Sequence, residues 1–213
     1  MGSTRFPAKV LAPIYGKPVI RRVIEACERT GIDYVLALPI SDANSPLHAY
    51  ARWQGWNVTL PLGHENDVLA RFAMVVRENP YLTTIIRITA DCPLVDHRTI
   101  LELVGTHADT KGCRYLARAN RPDGNDVEVF TVDFLNEALA KTPDYDRQHV
   151  CRWLSQNTTT TDAIYQEPET PCRDLKYSID TIADLNQCER LIRTVGEAAP
   201  WQEYVKAIRE GAA

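Results

Sequence analysis

The chain lacks most of the features that would assign it at a glance. No apolar run approaches the ~18 to 20 residues that span a bilayer, and the N-terminus carries no charged-then-apolar leader pattern, so a cytoplasmic protein is expected. There is no block of lysine and arginine and no acidic tail. A formal net charge of −4 argues against a protein whose main task is gripping nucleic acid through its phosphates. It leaves room for a small anionic ligand, which needs only a local cluster of cations and a metal. The cysteines, at 27, 92, 113, 151, 172 and 188, include no Cys-x-x-Cys pair and few flanking histidines, so zinc-ligand spacing is missing. Cys27 and Cys188 fall on apolar helical faces, where a free cysteine acts as a small core residue in a reducing compartment. No Gly-x-x-x-x-Gly-Lys-Ser/Thr occurs, which disfavours a P-loop NTPase. Internal repeats, low-complexity tracts and obvious linkers are also missing.

What is present is an ordinary globular balance. With 213 residues, 45% hydrophobic and 24% charged, the chain can bury a sizeable core and is expected to form a single domain over 1–213. Pro18 opens a helix whose stripe is Val19, Ile20, Val23, Ile24 and Cys27, and Thr30-Gly31 closes it. The apolar run Tyr34 to Pro39 reads as a buried strand. A helix over 44–55 turns Leu47, Tyr50 and Ala51 inward, and Val58 to Leu60 is a second strand. After the polar loop Gly63 to Asp67 comes a helix through Val68, Leu69, Phe72, Val75 and Val76. Thr84 to Thr89 is the clearest strand, rich in β-branched residues. Asp96 caps a helix whose core side is read as Ile100, Leu101 and Val104. This alternation predicts an α/β fold: a mixed, mostly parallel sheet with helices on both faces.

The second half reads as strands over 115–118 and 127–132, helices over 133–141 and 146–156, and strands over 163–166 and 176–179. Asp180-Thr181 opens a helix with a capping box, Thr181-x-x-Asp184, and a last helix follows Pro200.

Two stretches carry the chemistry. Met1 to Lys9 (MGSTRFPAK) is a small-residue loop ending in the cations Arg5 and Lys9, with Pro7 stiffening the chain between them. Small residues such as Gly2, Ser3 and Thr4 let backbone N–H groups approach an anion, and fixed cations hold its charge. Arg87 to Asp96 is a strand running into Asp91 and a proline turn, a carboxylate placed to hold Mg²⁺. Asp67 and Arg71 are four apart on a helix, the spacing of an ion pair. Asp123, Asp126 and Glu128 form an acidic loop and strand edge around Pro-Asp-Gly turn chemistry. His149 follows Asp146-Arg147-Gln148 beside Trp153.

The opening run, from Met1 to Ile20, resembles the signature of the acylneuraminate and 3-deoxy-octulosonate cytidylyltransferases. It is most similar to the spore-coat polysaccharide, glycosyltransferase-like branch. Four more blocks agree in order: Gly63 to Phe72 (GHENDVLARF), Arg87 to Asp96 (RITADCPLVD), Pro122 to Phe130 (PDGNDVEVF) and Tyr177 to Leu185 (YSIDTIADL). Asp146 to Val150 matches a further short block.

The resemblance implies a nucleotide-diphospho-sugar transferase fold, Rossmann-like, and transfer of CMP from CTP to an acidic sugar with Mg²⁺ required and pyrophosphate released. It places Arg5 and Lys9 on the triphosphate, Asp91 on the metal and Asp180 near metal and acceptor. Gly2, Ser3, Thr4, Asp67 and Arg71 fall to the nucleotide, and Asp126, Glu128 and His149 to the acceptor. Relatives often pair, so a homodimer is expected. The family has a hydrophobic strand and Gln-Ala-Arg before this Met-Gly-Ser-Thr-Arg, so a native start upstream of Met1 is expected. Ala8 stands where the family usually has glycine; a left-handed backbone there would strain alanine by on the order of 1 kcal/mol. Two other classes compete: an inactive relative serving as an interaction subunit, and a glycosyltransferase using a preformed nucleotide sugar.

Overall fold

Val129 and Phe130 organise the fold, because neighbouring strand residues point to opposite faces and both are fully buried. They lie on one of the two inner strands of a four-stranded sheet in a computed structural model that describes residues 6–60, 66–119, 121–143, 147–148, 150–158, 164–166 and 172–211. The sheet order is β5 (Thr84–Arg87), β7 (Glu128–Thr131), β6 (Tyr115–Ala119), β8 (Ile164–Gln166). Val129 packs with Val23 and Ala26 of α1 (Val19–Thr30) and with Ile100 and Leu103 of α4 (His97–Asp109). Phe130 packs on the other side with Leu69 of α3 (Val68–Glu78), Phe134 and Leu135 of α5 (Val132–Lys141) and Leu154 of α6 (Val150–Gln156). Burying each such side chain contributes about 1.5–3 kcal/mol. Helices therefore cover both faces, as the alternating pattern predicts.

The sheet is less parallel and less continuous than that pattern suggests. β7 runs antiparallel to both β5 and β6, while β6 and β8 are parallel. β3 (Leu36–Ala37) and β4 (Val58–Thr59) form a separate parallel pair. Only two residues of the run Tyr34 to Pro39 pair, because β3 finds a partner on one edge alone among the described residues. Lys176 to Ile179, expected as a strand, makes one bridge, between Lys176 and Asp123.

Local signals explain most helix ends. Gly31 takes the left-handed conformation (φ 69°) that terminates α1. Asp96 accepts from Arg98 N at the start of α4, and Thr181 with Asp184 forms the expected capping box of α7 (Ile182–Val195). α2 (Ser45–Trp53) buries Leu47 and Ala51. α8 (Trp201–Arg209) follows Pro200 and packs Trp201 and Tyr204 against α7. On α4 the core residue is Leu103, fully buried, whereas Leu101 is 43% exposed; the stripe runs Ile100–Leu103–Val104, the spacing of one helical face. Among the described residues no helix is long and apolar enough to cross a membrane.

A hairpin absent from the sequence reading precedes α1. β1 (Pro13–Ile14) pairs antiparallel with β2 (Lys17–Pro18), and Tyr15 and Gly16 both have positive φ, 46° and 79°, as a primed two-residue turn requires. Ala8 also has positive φ, at 58° with ψ 21°, and starts a 3-10 turn over Lys9–Leu11. The family glycine thus has a physical reason at this position. Ala8→Gly is expected to raise stability by up to about 1 kcal/mol, relieving the left-handed alanine but adding freedom to the unfolded chain. A thermal melt checks it: Tm should rise by up to ~2–4 °C, and a fall would mean that the backbone tolerates alanine there.

Candidate active site

Three sequence-distant side chains meet beyond the end of β5. Lys9 enters from the 3-10 turn set by Ala8, Asp91 follows β5, and Asp180 precedes the N-cap of α7. The Lys9 ammonium donates to Asp91 Oδ2 at 2.7 Å and to Asp180 Oδ1 at 3.1 Å. The two carboxylates are held together by the backbone as well, since Ile179 N donates to Asp91 O at 2.9 Å. All three side chains remain partly open, at 16%, 28% and 26% exposure for Lys9, Asp91 and Asp180.

The charges here are mutually dependent. Burial alone would lower the Lys9 pKa, but hydrogen bonds and charge from Asp91 and then Asp180 outweigh it, and the pKa is raised. Asp180 moves the other way, to about 2, chiefly because Lys176 donates to it; burial opposes this and Lys9 adds to it. The centre is the Lys9 ammonium held between the side chains of Asp91 and Asp180. Such oxygen donors suit a hard cation, and Mg²⁺ commonly takes only one or two protein carboxylates, filling its remaining positions with water and phosphate. Among the described residues no group of three or more His, Cys, Asp or Glu side chains is placed to hold a metal; Asp91 and Asp180 supply two carboxylates on either side of the Lys9 ammonium.

The loop Pro122 to Asp126 is stitched onto the segment carrying Asp180. Asp123 N donates to Leu175 O (3.0 Å), Ser178 N donates to Asp123 O (3.1 Å), and Ser178 Oγ donates to Asp123 Oδ2 (3.0 Å). Gly124, at φ 101°, lies so close that a Cβ would stand 2.4 Å from Ser178 N and 2.6 Å from the Tyr177 carbonyl carbon. Both are backbone atoms, so nothing can rotate away. Gly124→Ala is expected to cost ~3 kcal/mol or more, read as a shifted urea midpoint with unchanged slope. An effect under about 0.5 kcal/mol, the range of an ordinary surface change, would contradict the close approach.

The other predicted site residues are placed less centrally. Asp126 accepts from Gly124 N at 3.1 Å, and burial first, then the charges of Asp123 and Glu128, raise its pKa against that donor. Burial, and then the charges of Asp91, Asp126 and Asp123, push the buried Cys92 thiol up. Glu128 lies opposite Arg87 in the β5–β7 register and pairs with its guanidinium, while Tyr115 OH donates to it at 2.7 Å. Asp67 caps α3 by accepting from Ala70 N at 2.9 Å and meets Arg147 at 3.3 Å. Arg71 lies one turn further along α3. Gly2, Ser3, Thr4, Arg5 and His149 lie outside the described residues.

Lys176 was not singled out from the sequence, although a signal for it exists. Lys176, Ser178 and Asp180 alternate with Tyr177 and Ile179, both fully buried in the core beside α7 and α8. That alternation puts Lys176 on the face of Asp180, and its Nζ lies 3.0 Å from Asp180 Oδ2.

Known proteins resemble the chain in sequence and in fold. The chain is 27% identical over 207 residues to the spore coat polysaccharide biosynthesis protein SpsF of Bacillus subtilis, covering 92% of this chain and 85% of that protein. Its fold is similar to that of a cytidylyltransferase from Leptospira borgpetersenii, with a TM-score of 0.84, 22% identity and coverage of 99% and 91% of the two chains. It is also similar to CMP:2-keto-3-deoxy-manno-octonic acid synthetase complexed with CTP, with a TM-score of 0.66, 16% identity and coverage of 90% and 94%. A family model described as Cytidylyltransferase matches residues 1–208, and with that match over nearly its whole length the chain belongs to the cytidylyltransferase family of nucleotidyltransferase enzymes.

Proposed function

We propose that the chain, acting as a single domain, transfers CMP from CTP to a hydroxyl of an acidic sugar and releases pyrophosphate, in assembling a surface polysaccharide. The observation that carries this reading is the Lys9 ammonium between Asp91 and Asp180 in a member of this family. The name of the Bacillus subtilis relative supports polysaccharide as the destination, and the CTP in one neighbouring structure supports the nucleotide.

In the reaction the acceptor oxygen forms a bond to the α-phosphorus and its proton passes to solvent water. The bond from the α-phosphorus to the bridging oxygen breaks, and pyrophosphate leaves with that electron pair. Such a transfer asks a protein for positioning and charge stabilisation rather than covalent chemistry. Asp91 and Asp180 would hold Mg²⁺, which when bound neutralises phosphate charge and polarises the α-phosphate. A metal on Asp91 and Asp180 would compete with the Lys9 ammonium for Asp91 Oδ2 and Asp180 Oδ1, so in the loaded enzyme Lys9 would turn to the phosphates and steady the departing pyrophosphate. Arg5, with the backbone of Gly2, Ser3 and Thr4, shares that task by resemblance. Asp67 and Arg71 are assigned to the nucleotide, and Asp126, Glu128 and His149 to the acceptor. Two copies would form a homodimer in the cytoplasm.

The test needs no knowledge of the acceptor at first. Thermal stability with Mg²⁺ and each of CTP, UTP, GTP and ATP should rise with CTP alone. A ligand at a hundred times its dissociation constant adds about 2.7 kcal/mol, several degrees for ~200 residues. Sugar acids are then screened for CTP-dependent pyrophosphate release. No response to any triphosphate sinks the transfer reading in favour of an inactive interaction subunit; preference for a CMP-sugar over CTP favours a glycosyltransferase.

A further inference from the structure

We infer that Lys176 is a positioning residue for the metal-binding carboxylate of Asp180, an inference that rests on the cytidylyl-transfer reading. The two oxygens of Asp180 are divided between two ammonium groups. Oδ1 faces inward to Lys9 (3.1 Å) and hence towards Asp91, while Oδ2 faces outward to Lys176 (3.0 Å). Lys176 is itself anchored. Its Nζ also donates to Asp184 Oδ2 at 3.2 Å, and that oxygen is pinned by Asp180 N (2.9 Å), Thr181 N (2.7 Å) and Thr181 Oγ1 (2.9 Å) at the N-cap of α7. The Lys176 backbone is held by its bridge to Asp123 and by Gln187 Nε2, which donates to Lys176 O at 3.3 Å. Tyr177 and Ile179, fully buried, fix the face on which Lys176 and Asp180 stand.

Charge gives a second reason. Asp180 and Asp184 both send an oxygen to the same ammonium, so without it two carboxylates near one helix start repel each other. Lys9 cannot compensate in the loaded enzyme, because there it serves the phosphates. Lys176, on the opposite oxygen, stays with Asp180 and keeps Oδ1 turned to the metal position. A carboxylate supported in this way behaves like a ligand held by its outer partners, whose loss typically weakens metal affinity 10–100-fold. A surface ion pair of decorative value would change nothing measurable.

The test is Mn²⁺ affinity in the presence of CTP, by titration calorimetry or by the EPR signal of free Mn²⁺, on the full chain. Lys176→Met is expected to weaken Mn²⁺ binding on the order of tenfold or more, with CTP affinity without metal unchanged. Lys176→Arg, which keeps the charge, should recover most of it. In turnover, the concentration of metal for half activity should rise while kcat at saturating metal is retained, a split that general loss of structure does not produce. If Lys176→Met folds poorly, Lys176→Gln carries the same comparison. Mn²⁺ binding equal to the parent chain, or a loss that Lys176→Arg shares, overturns the inference. If the parent chain itself binds no Mn²⁺ with CTP, the transfer reading fails, and this inference with it.

Discussion

Asp91→Asn is expected to lower CTP-dependent pyrophosphate release by on the order of 10³-fold, a loss comparable to removing a preorganised group that meets developing charge. The substitution preserves size and keeps one oxygen, so packing around the turn Cys92 to Val95 should survive. What it removes is half of the charge that meets Lys9 in the resting protein and, on the proposed reading, half of the carboxylate set for Mg²⁺. The Ile179 N to Asp91 O bond is a backbone contact and stays, so Asp180 remains in place. The Mg²⁺-dependent rise in Tm with CTP should vanish, while the melt without ligand shifts little. Turnover within tenfold of the parent chain would remove Asp91 from the centre of the chemistry.

Lys9→Met is expected to have effects of opposite sign on two ligands. Turnover with CTP should fall on the order of 10² to 10³-fold, because a fixed cation that stabilises departing charge is lost. Affinity for Mn²⁺ without nucleotide should instead rise, by on the order of tenfold, equivalent to ~1.4 kcal/mol. In the parent chain the Lys9 ammonium lies 2.7 and 3.1 Å from the carboxylates a metal needs and competes for them. Without it, Asp91 and Asp180 lose the ammonium that joins them. Tm in chelator should therefore drop and recover when Mn²⁺ is added, since a ligand that binds the folded state stabilises it. Weaker Mn²⁺ binding by Lys9→Met would show that Lys9 supports the metal position rather than contesting it.

The fold was largely legible, and its misreadings have specific causes. The capping box at Thr181 and Asp184, the Asp96 cap and the Gly31 stop are local contacts within four residues, which a linear pattern records. The choice of Leu101 over Leu103 on α4 failed because apolar identity alone does not say which side of a helix meets the sheet. Lys176 to Ile179 has strand-like alternation, yet it is bonded piecemeal to Asp91 and Asp123 instead of joining a ladder. The Tyr15-Gly16 hairpin was missed because tyrosine seldom takes the positive φ that such a turn needs.

The candidate site was legible in its parts and not in its assembly. Lys9, Asp91 and Asp180 could each be named from motif and resemblance. That one ammonium joins all three, across separations of 82 and 171 residues, is written in no local pattern. Asp67 shows the same limit: its spacing suggests Arg71 four residues on, but its carboxylate meets Arg147, 80 residues away.

By itself the sequence determined most of the helices and strands, most of their apolar faces, and which side chains are of the types that can meet phosphate or metal. Those properties depend on residue type and on periods of two or 3.6, which are local. The tertiary structure alone decided that β7 lies between β5 and β6, that Gly124 must be glycine because another backbone passes beside it, and that Lys176 shares Asp180 with Lys9. Each of these depends on which distant segments the packed sheet and helices bring within a few ångströms, and chain order does not specify that distance.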